Sequence, residues 1–541
     1  MSRSGANVVE SLVIAPMLVA LVSIAVTLAT GQWPRLQRVA SVGGVLAYVV
    51  VVAALDWLIV LGPDAPGAAA YQVGGWAAPF GITLVTDGLA AFMLAIVAVV
   101  ALYSIVFSVF YIDPLNQRVY YHPLVHVLLL GVTGAFLTGD LFNLFVWFEV
   151  MLMASYAFVA FYGGAEHTAA GMRYVVINLI GSVLMLLGIG GLYATLGTLN
   201  MADMAQTVAD PSADVDAVPI VGLSMFVFAP FALKAGLVPF QFWVPSAYRA
   251  APAPIAAMLA GATKKVGIYA IVRLYFTVFA GVTVPIAAPG VADPSLLTYF
   301  GPILLFLGSM SIVVGGLAAI GRETMDGVLA YSSIGQVGFI AVPIGIAGVA
   351  TSASVQHLGI LAGLIYALHH ALTKSMLFLS TGVIQDATGT TRLAELGGLA
   401  AHSPVFAGAV FVGSLSLVGI PPLAGFFGKF FAFEAAISWL AAEPTAGAAV
   451  VLLALLAGAV LTIVYATRIW VGSFWGTPTT AVEGAIFDTP QVVLVASLAV
   501  LVVLVGVGFE PVYRFADAAA TAALDTEAYV DAVGLEGGES G

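Results

Sequence analysis

Long apolar runs, each about the length needed to cross a lipid bilayer, recur through almost the whole chain. A hydrocarbon core about 30 Å thick takes roughly 20 apolar residues per helical crossing. Backbone groups in lipid must be bonded internally, which leaves helices or a closed barrel. Barrel strands would be short and alternating, whereas these runs are long and continuously apolar. The expected fold is therefore an all-α polytopic membrane protein. Its spans are expected near 10–30, 38–62, 83–111, 123–139, 141–162, 169–196, 220–243, 254–277, 298–320, 325–348, 357–385, 404–440, 447–475 and 489–512, about fourteen in all. The run 404–440 is too long for one straight helix and contains "GIPPLAGFFGK", so it reads as one broken span. Composition agrees, with 61% apolar residues, 8% charged residues and a mean hydropathy of +1.09. The first apolar stretch is span-length and lacks a small-residue cleavage pattern, so no signal peptide is expected. The chain contains no cysteine, which excludes disulfides, thiolate-held clusters and thiol chemistry.

Cytoplasmic loops carry the excess of Lys and Arg. The loops after odd-numbered spans hold Arg35, Arg38, Arg118, Arg173, Arg249, Arg322 and Arg392, with Arg468 at the end of span 13. The opposite side has Arg3, Arg273 and Arg514, so both termini are expected outside. The net charge of −12 then falls mainly on the outer face and on an acidic tail, 513–541, read as a solubilising or cation-attracting surface. A basic nucleic-acid patch is absent.

Shifting the sequence by 192 residues superimposes Gly171 on Gly363, Tyr174 on Tyr366, Gly190 on Gly382, Gly197 on Gly389, and Pro230 on Pro422. The shift corresponds to five spans, an odd number of crossings, so the second copy would be inverted. Inverted repeats with matching interrupted helices are a transporter pattern, with sites near the membrane midplane. The expected organisation is spans 1–3 in 1–122, a first five-helix repeat in 123–277, a second in 298–475, and span 14 in 489–512. Spans 7 and 12 each carry Pro and Gly beside one lysine, Lys234 or Lys429, three residues out of register.

A charge at a span centre costs at least ~2.5–3.5 kcal/mol on insertion scales and needs water or a partner. Such charges are few here: Glu149 in span 5, Lys234 in span 7, Lys264 and Lys265 in span 8, His369, His370 and Lys374 in span 11, and Lys429 and Glu434 in span 12. His370 and Lys374 are four apart and share a helix face. These groups can form a polar line through the bilayer at half depth. Other readings stand beside this one. Glu149 and Lys234 can be an ion pair that only fixes helix packing, and His369 can be a hydrogen-bonded packing residue. Only one of Lys264 and Lys265 is expected to face the interior. Glu434 points away from Lys429, toward a helix end or a subunit contact. Asp140 and Asp87 read as helix caps. Arg273, His126 and Arg173 read as groups reaching the interface.

The stretches "TGDLFNLFVWFEVMLMASYAF", "FALKAGLVPFQFWVPSAYRAAPAPIAAMLAGATKKVGIYAIVRLY" and "HHALTKSMLFLSTG" resemble the D-type subunits of the Mrp-type multisubunit cation/proton antiporters. That group belongs with the antiporter-like subunits of respiratory complex I and membrane-bound hydrogenases. The resemblance covers nearly the whole chain and weakens beyond about residue 475. It implies two interlocked inverted five-helix bundles with broken helices 7 and 12, and other subunits of a hetero-oligomeric complex as partners. It implies an essential glutamate at Glu149, its partner at Lys234, and relay bases at Lys265, His370, Lys374 and Lys429, with Lys264 an adjacent extra base. Burial favours a neutral amine and a nearby carboxylate favours the ammonium, so moving Glu149 relative to Lys234 switches that lysine between releasing and holding a proton. Histidine, with an ordinary pKa of about 6.5, suits the middle of such a line. No cofactor is expected. The competing readings are a proton-pumping subunit of a redox complex and a membrane scaffold with a degenerate channel.

Overall fold

The computed structural model describes residues 3–117, 120–213, 215–284 and 295–535. Arg118 and the last six residues of the tail lie outside the described residues. Twelve helices are long and apolar enough to cross a membrane: Val9–Ala29, Pro34–Leu61, Gly88–Tyr111, Leu141–Val159, Gly164–Leu196, Ala217–Ala235, Ala253–Val278, Leu296–Ile320, Met325–Val349, Ala353–Thr388, Ala446–Phe474 and Thr489–Val507. Two shorter apolar helices, Tyr121–Leu137 and Pro404–Val418, stand at the positions of spans 4 and 12. Spans keep their chain-order numbers below. Span 8 is wholly buried and spans 10 and 11 nearly so, whereas spans 1, 2 and 13 turn most of their surface outward. Lys264, Lys265, Arg273 and Lys374 of the interior sit on these central helices, and Lys234 and Lys429 reach them from the broken spans 7 and 12.

Several boundaries follow from local chemistry. Span 3 begins at Gly88, not at 83, because 83–87 pairs as a strand with Ala68–Gln72. Asp87 then caps span 3, accepting from the backbone N–H of Ala90 at 3.0 Å. Span 12 is broken into Pro404–Val418 and Ala424–Ala442. Span 7 is broken too, with Ala217–Ala235 followed by the short helix Val244–Ala250.

Matching hydrogen bonds recur in the two halves. Asp140 caps span 5 through the Asn143 N–H, and Thr324 caps span 10 through the Gly327 N–H. Span 6 ends at left-handed Gly197 and span 11 at left-handed Gly389. Beyond them, the Leu141 and Met201 N–H groups donate to Leu199 and Gly139, as those of Met325 and Leu393 donate to Thr391 and Glu323. At the breaks, Gly236 (φ 78°) and Gly419 (φ 93°) close the first segments, and the Leu237 and Ile420 N–H groups reach back to Ala232 and Leu415.

These pairs correct the uniform shift of 192. It holds for spans 6 and 11, but spans 5 and 10 superimpose with a shift of 184 (140 to 324), and the breaks with 183 (236 to 419). Loop lengths differ between the copies, so one shift cannot serve all helices. At 184 the counterpart of Glu149 is Ser333, not Ala341. Lys234 lies before its break and Lys429 after its own, so the two are not one turn apart on equivalent faces.

The acidic tail packs on the bundle by one face and keeps Asp525, Glu527 and Asp531 exposed. Phe509–Leu524 and Thr526–Val533 are helices, and Ala516, Ala519, Ala520 and Ala523 bury a small-residue face against the bundle. The carbonyl of Ala518 lies so close over Gly88 that a Cβ there would meet it at 2.6 Å. Arg273 does not reach for the interface either. It is buried in span 8, and its Nη2 donates to both oxygens of Asp87 at 2.7 and 2.6 Å. The Tyr529 ring from the tail covers its guanidinium at 4.5 Å. His126 is likewise buried, its Nε2 3.0 Å from Ser41 Oγ.

Candidate functional site

Three polar residues at intervals of four, Tyr174, Asn178 and Ser182, line one face of span 6. Lys234, the penultimate residue of the first half of span 7, donates from Nζ to the Tyr174 hydroxyl at 2.8 Å. Ser182 donates to Glu149 Oε1 from the other end of the row. The Asn178 side chain donates to the Tyr174 carbonyl at 2.8 Å. Glu149 and Lys234 are therefore not a direct ion pair. Among the described residues, the ion pairs are Arg249–Asp326, Arg273–Asp87, His357–Asp517 and Arg514–Glu510. The packing ion pair allowed by the sequence is replaced by a row of neutral hydrogen-bonding groups between acid and base.

The break in span 7 brings aromatic rings to the lysines. Trp243 stacks on Tyr174 with centroids 4.8 Å apart and anchors its indole N–H on the Leu233 carbonyl at 2.8 Å. Lys234 Nζ lies 5.5 Å from each of these rings, and Lys264 Nζ lies 5.9 Å from Trp243 and 5.3 Å from Tyr248. Ring faces attract an ammonium group without donating or accepting its proton, so either lysine is favoured there when it is protonated.

Both span 8 lysines are buried, against the expectation that only one would be. A π-turn, Leu259–Thr263, precedes them, and the whole span is enclosed, so side chains about 100° apart both meet protein. Lys264 Nζ reaches Ser333 Oγ of span 10 at 3.4 Å. Lys265 Nζ reaches His370 Nδ1 of span 11 at 2.6 Å. His370 Nε2 meets the same Ser333 Oγ at 3.2 Å. With Lys265 as the donor, the imidazole accepts at Nδ1 and its Nε2–H donates to Ser333. One imidazole thus joins the two halves of the chain.

Span 11 repeats the spacing of span 6. Tyr366, His370 and Lys374 occupy the positions of Tyr174, Asn178 and Ser182 at the 192 shift. Lys374 donates to Ser332 Oγ at 2.5 Å and to the Leu329 carbonyl at 3.2 Å. Tyr366 donates to Gln336, which donates in turn to Tyr465 at 2.8 Å. His369 faces the break in span 12, with Nδ1 3.2 Å from Thr373 Oγ1 and 3.3 Å from Ser416 Oγ. Its Nε2 is buried without a partner among the described residues. Lys429 donates to the Val418 carbonyl at 2.9 Å, capping the first half of span 12, and lies 5.5 Å from the Phe339 ring. Phe339 stacks on Tyr366 at 5.2 Å, and Tyr366 meets His369 edge to face. Every one of the five lysines in the chain is buried here.

The remaining candidates lie apart from this chain of contacts. Asp140 is the cap of span 5, accepting from Asn143 N–H at 2.6 Å. Glu434 is half-buried on the second half of span 12, its Oε2 without a partner among the described residues. The hydroxyl and amide members, Tyr174, Asn178, Ser182, Ser332, Ser333, Gln336 and Ser416, carry no signal of their own in a sequence. The repeat was the one feature that could have pointed to the first three.

The family model described as NADH:quinone oxidoreductase/Mrp antiporter, TM, matches residues 138–457. The D-type subunit of the Na(+)/H(+) antiporter of Alkalihalophilus pseudofirmus is 34% identical over 528 residues, 97% of this chain and 99% of that protein. Among solved structures, the Mrp complex from Dietzia sp. contains a chain matching 98% of this one and 100% of its own length, with TM-score 0.81 and 28% identity. A chain of the membrane-bound sulfane sulfur reductase, an archaeal respiratory membrane complex, matches 96% of this one and 99% of its own length, with TM-score 0.83 and 27% identity.

Proposed function

Because this chain belongs to the NADH:quinone oxidoreductase/Mrp antiporter family, we propose that it is the proton-translocating subunit of a multisubunit monovalent cation/proton antiporter, using proton motive force to drive export of Na+ or K+. It works in the cell membrane with both termini outside, beside other subunits of the same complex. Protons pass along Glu149, Lys234, Lys264/Lys265, His370, Lys374 and Lys429, with His369 between the last two. The observation that carries this reading is the bridge at His370, which is within hydrogen-bonding distance of Lys265 on one side and of Ser333 on the other. A group with two exchangeable nitrogens at that point can take a proton from one half and return it to the other. Glu149 has no acidic counterpart, since Ser333 stands in its place, and this asymmetry gives the line of bases a direction.

The test is cation/proton exchange in everted vesicles from cells expressing the whole complex. Glu149→Gln and Lys234→Ala are each expected to slow exchange on the order of a hundredfold, as for loss of a positioned proton-transfer group. Normal exchange in assembled variants would remove the relay assignment. The likeness to a chain of a respiratory complex supports a second reading, a proton-pumping subunit of a redox complex. Copurification separates the two readings: small membrane subunits favour the antiporter, and quinone-oxidoreductase or hydrogenase subunits favour the pump.

A further inference from the structure

Four of the chain's eleven arginines gather around one cleft of about 500 Å³. Arg173 comes from span 6, Arg249 from the second half of span 7, Arg322 from the end of span 9, and Arg392 from the loop after span 11. The cleft therefore lies where the two halves of the chain meet, at the ends of spans. Thr324, which caps the 25-residue helix of span 10, is on its wall, so the positive end of that helix faces the same opening.

Arginine outnumbers carboxylate there, four to two with Glu323 and Asp326. Arg249 Nε pairs with Asp326 at 3.1 Å, and Thr391 also donates to that carboxylate at 2.7 Å. Among the described residues, Arg173, Arg322 and Arg392 have no ion-pair partner, and Glu323 is the one carboxylate lining the cleft, with Glu395 near Arg392 on the adjoining surface. Arg322 is already oriented: its Nε donates to the Ala318 carbonyl at 3.1 Å, and its guanidinium lies 4.8 Å from the Tyr331 ring. The remaining guanidinium donors are planar forks suited to phosphate oxygens. The spans that carry Arg173 and Arg322 also expose large apolar side chains, Met172 and Leu317 among them, within five residues of those arginines. Charge above an apolar surface at a span end fits a lipid better than a free anion.

We propose that this cleft binds the phosphate headgroup of an anionic phospholipid and that the lipid fastens the two halves of the chain together. The walls continue directly into the candidate site. Tyr331 precedes Ser332 and Ser333, which hold Lys374 and His370, and Arg249 follows Tyr248, which faces Lys264. A headgroup held by arginines from both halves fixes the spacing at which those contacts form.

The whole complex is purified in detergent and incubated with phosphatidylcholine micelles containing phosphatidylglycerol, and retained lipid is counted by native mass spectrometry. The triple variant Arg173→Gln/Arg322→Gln/Arg392→Gln is expected to lower retained phosphatidylglycerol roughly tenfold with phosphatidylcholine unchanged. Arg35→Gln, an exposed arginine elsewhere, is expected to leave both unchanged. Equal retention in the triple variant and the parent overturns the proposal, as does a matching loss in Arg35→Gln. Displacement of phosphatidylglycerol by inorganic phosphate alone would make it a free-anion site and overturn the lipid assignment. A triple variant that loses other subunits but retains lipid normally would mark a protein contact instead.

Discussion

Removing Arg273 would leave Asp87 as a buried carboxylate with no countercharge, an arrangement that costs ~3–5 kcal/mol where it has been measured. Arg273→Met is therefore expected to lower the thermal midpoint of the purified protein sharply. Asp87→Asn/Arg273→Met should recover much of the loss, because no unpaired charge remains and Asn can still cap span 3. Equal melting of the single and double variants would show that the pair contributes through packing alone. The residues were readable in the sequence as charges placed in or beside apolar spans. Their pairing was not, because Asp87 and Arg273 are separated by five spans and both sit where a cap or an interfacial arginine is the ordinary expectation. The same holds inside the candidate site. The five lysines and His370 stand out against apolar neighbours, whereas Ser182 and Ser333, which touch them or Glu149, look like any other small residue of a membrane helix.

At the scale of an element, a left-handed glycine at a helix break is more constrained than one at an ordinary helix end. Gly236 ends the first half of span 7 in the left-handed region, and a Cβ on it would lie 3.0 Å from Lys264 Nζ and 2.9 Å from Val244. Gly197 has the same backbone conformation at the end of span 6, with nothing within 4 Å of such a Cβ. An alanine at either position pays a similar backbone strain, on the order of 1 kcal/mol. Gly236→Ala is thus expected to reduce exchange in assembled complexes severalfold, while Gly197→Ala leaves it near normal. Similar exchange in the two would show that the Lys264 position is not sensitive to the break. Proline and glycine announced both breaks in the sequence. The register between copies was not legible, since loops of unequal length shift spans 5, 6 and 7 by different amounts, and the tail's alternation of alanine and acid hid a helix with a buried small-residue face.

At the scale of the whole molecule, the hydropathy pattern was enough to place the spans, because a bilayer penalises every misassigned charge. It could not show which spans are central, a property that depends on contacts between distant helices. The structure puts spans 8, 10 and 11 inside and divides the cations by type: all five lysines are buried, and among the described residues Arg273 is the one arginine buried as they are. That division has a chemical consequence. With all five lysines enclosed, an amine-acylating reagent applied to the folded protein finds no side chain to modify on its water-facing surface. Any acylated lysine found by peptide mapping would have been reached through an opening of the interior. Labelling under active exchange is expected to exceed labelling at rest, with Lys429, the least enclosed at 6% exposure, modified first. Equal labelling in both conditions would mean that the interior stays closed while ions move. The protein thus carries its own covalent reporter, installed by the same avoidance of surface lysine that left arginine to face the water.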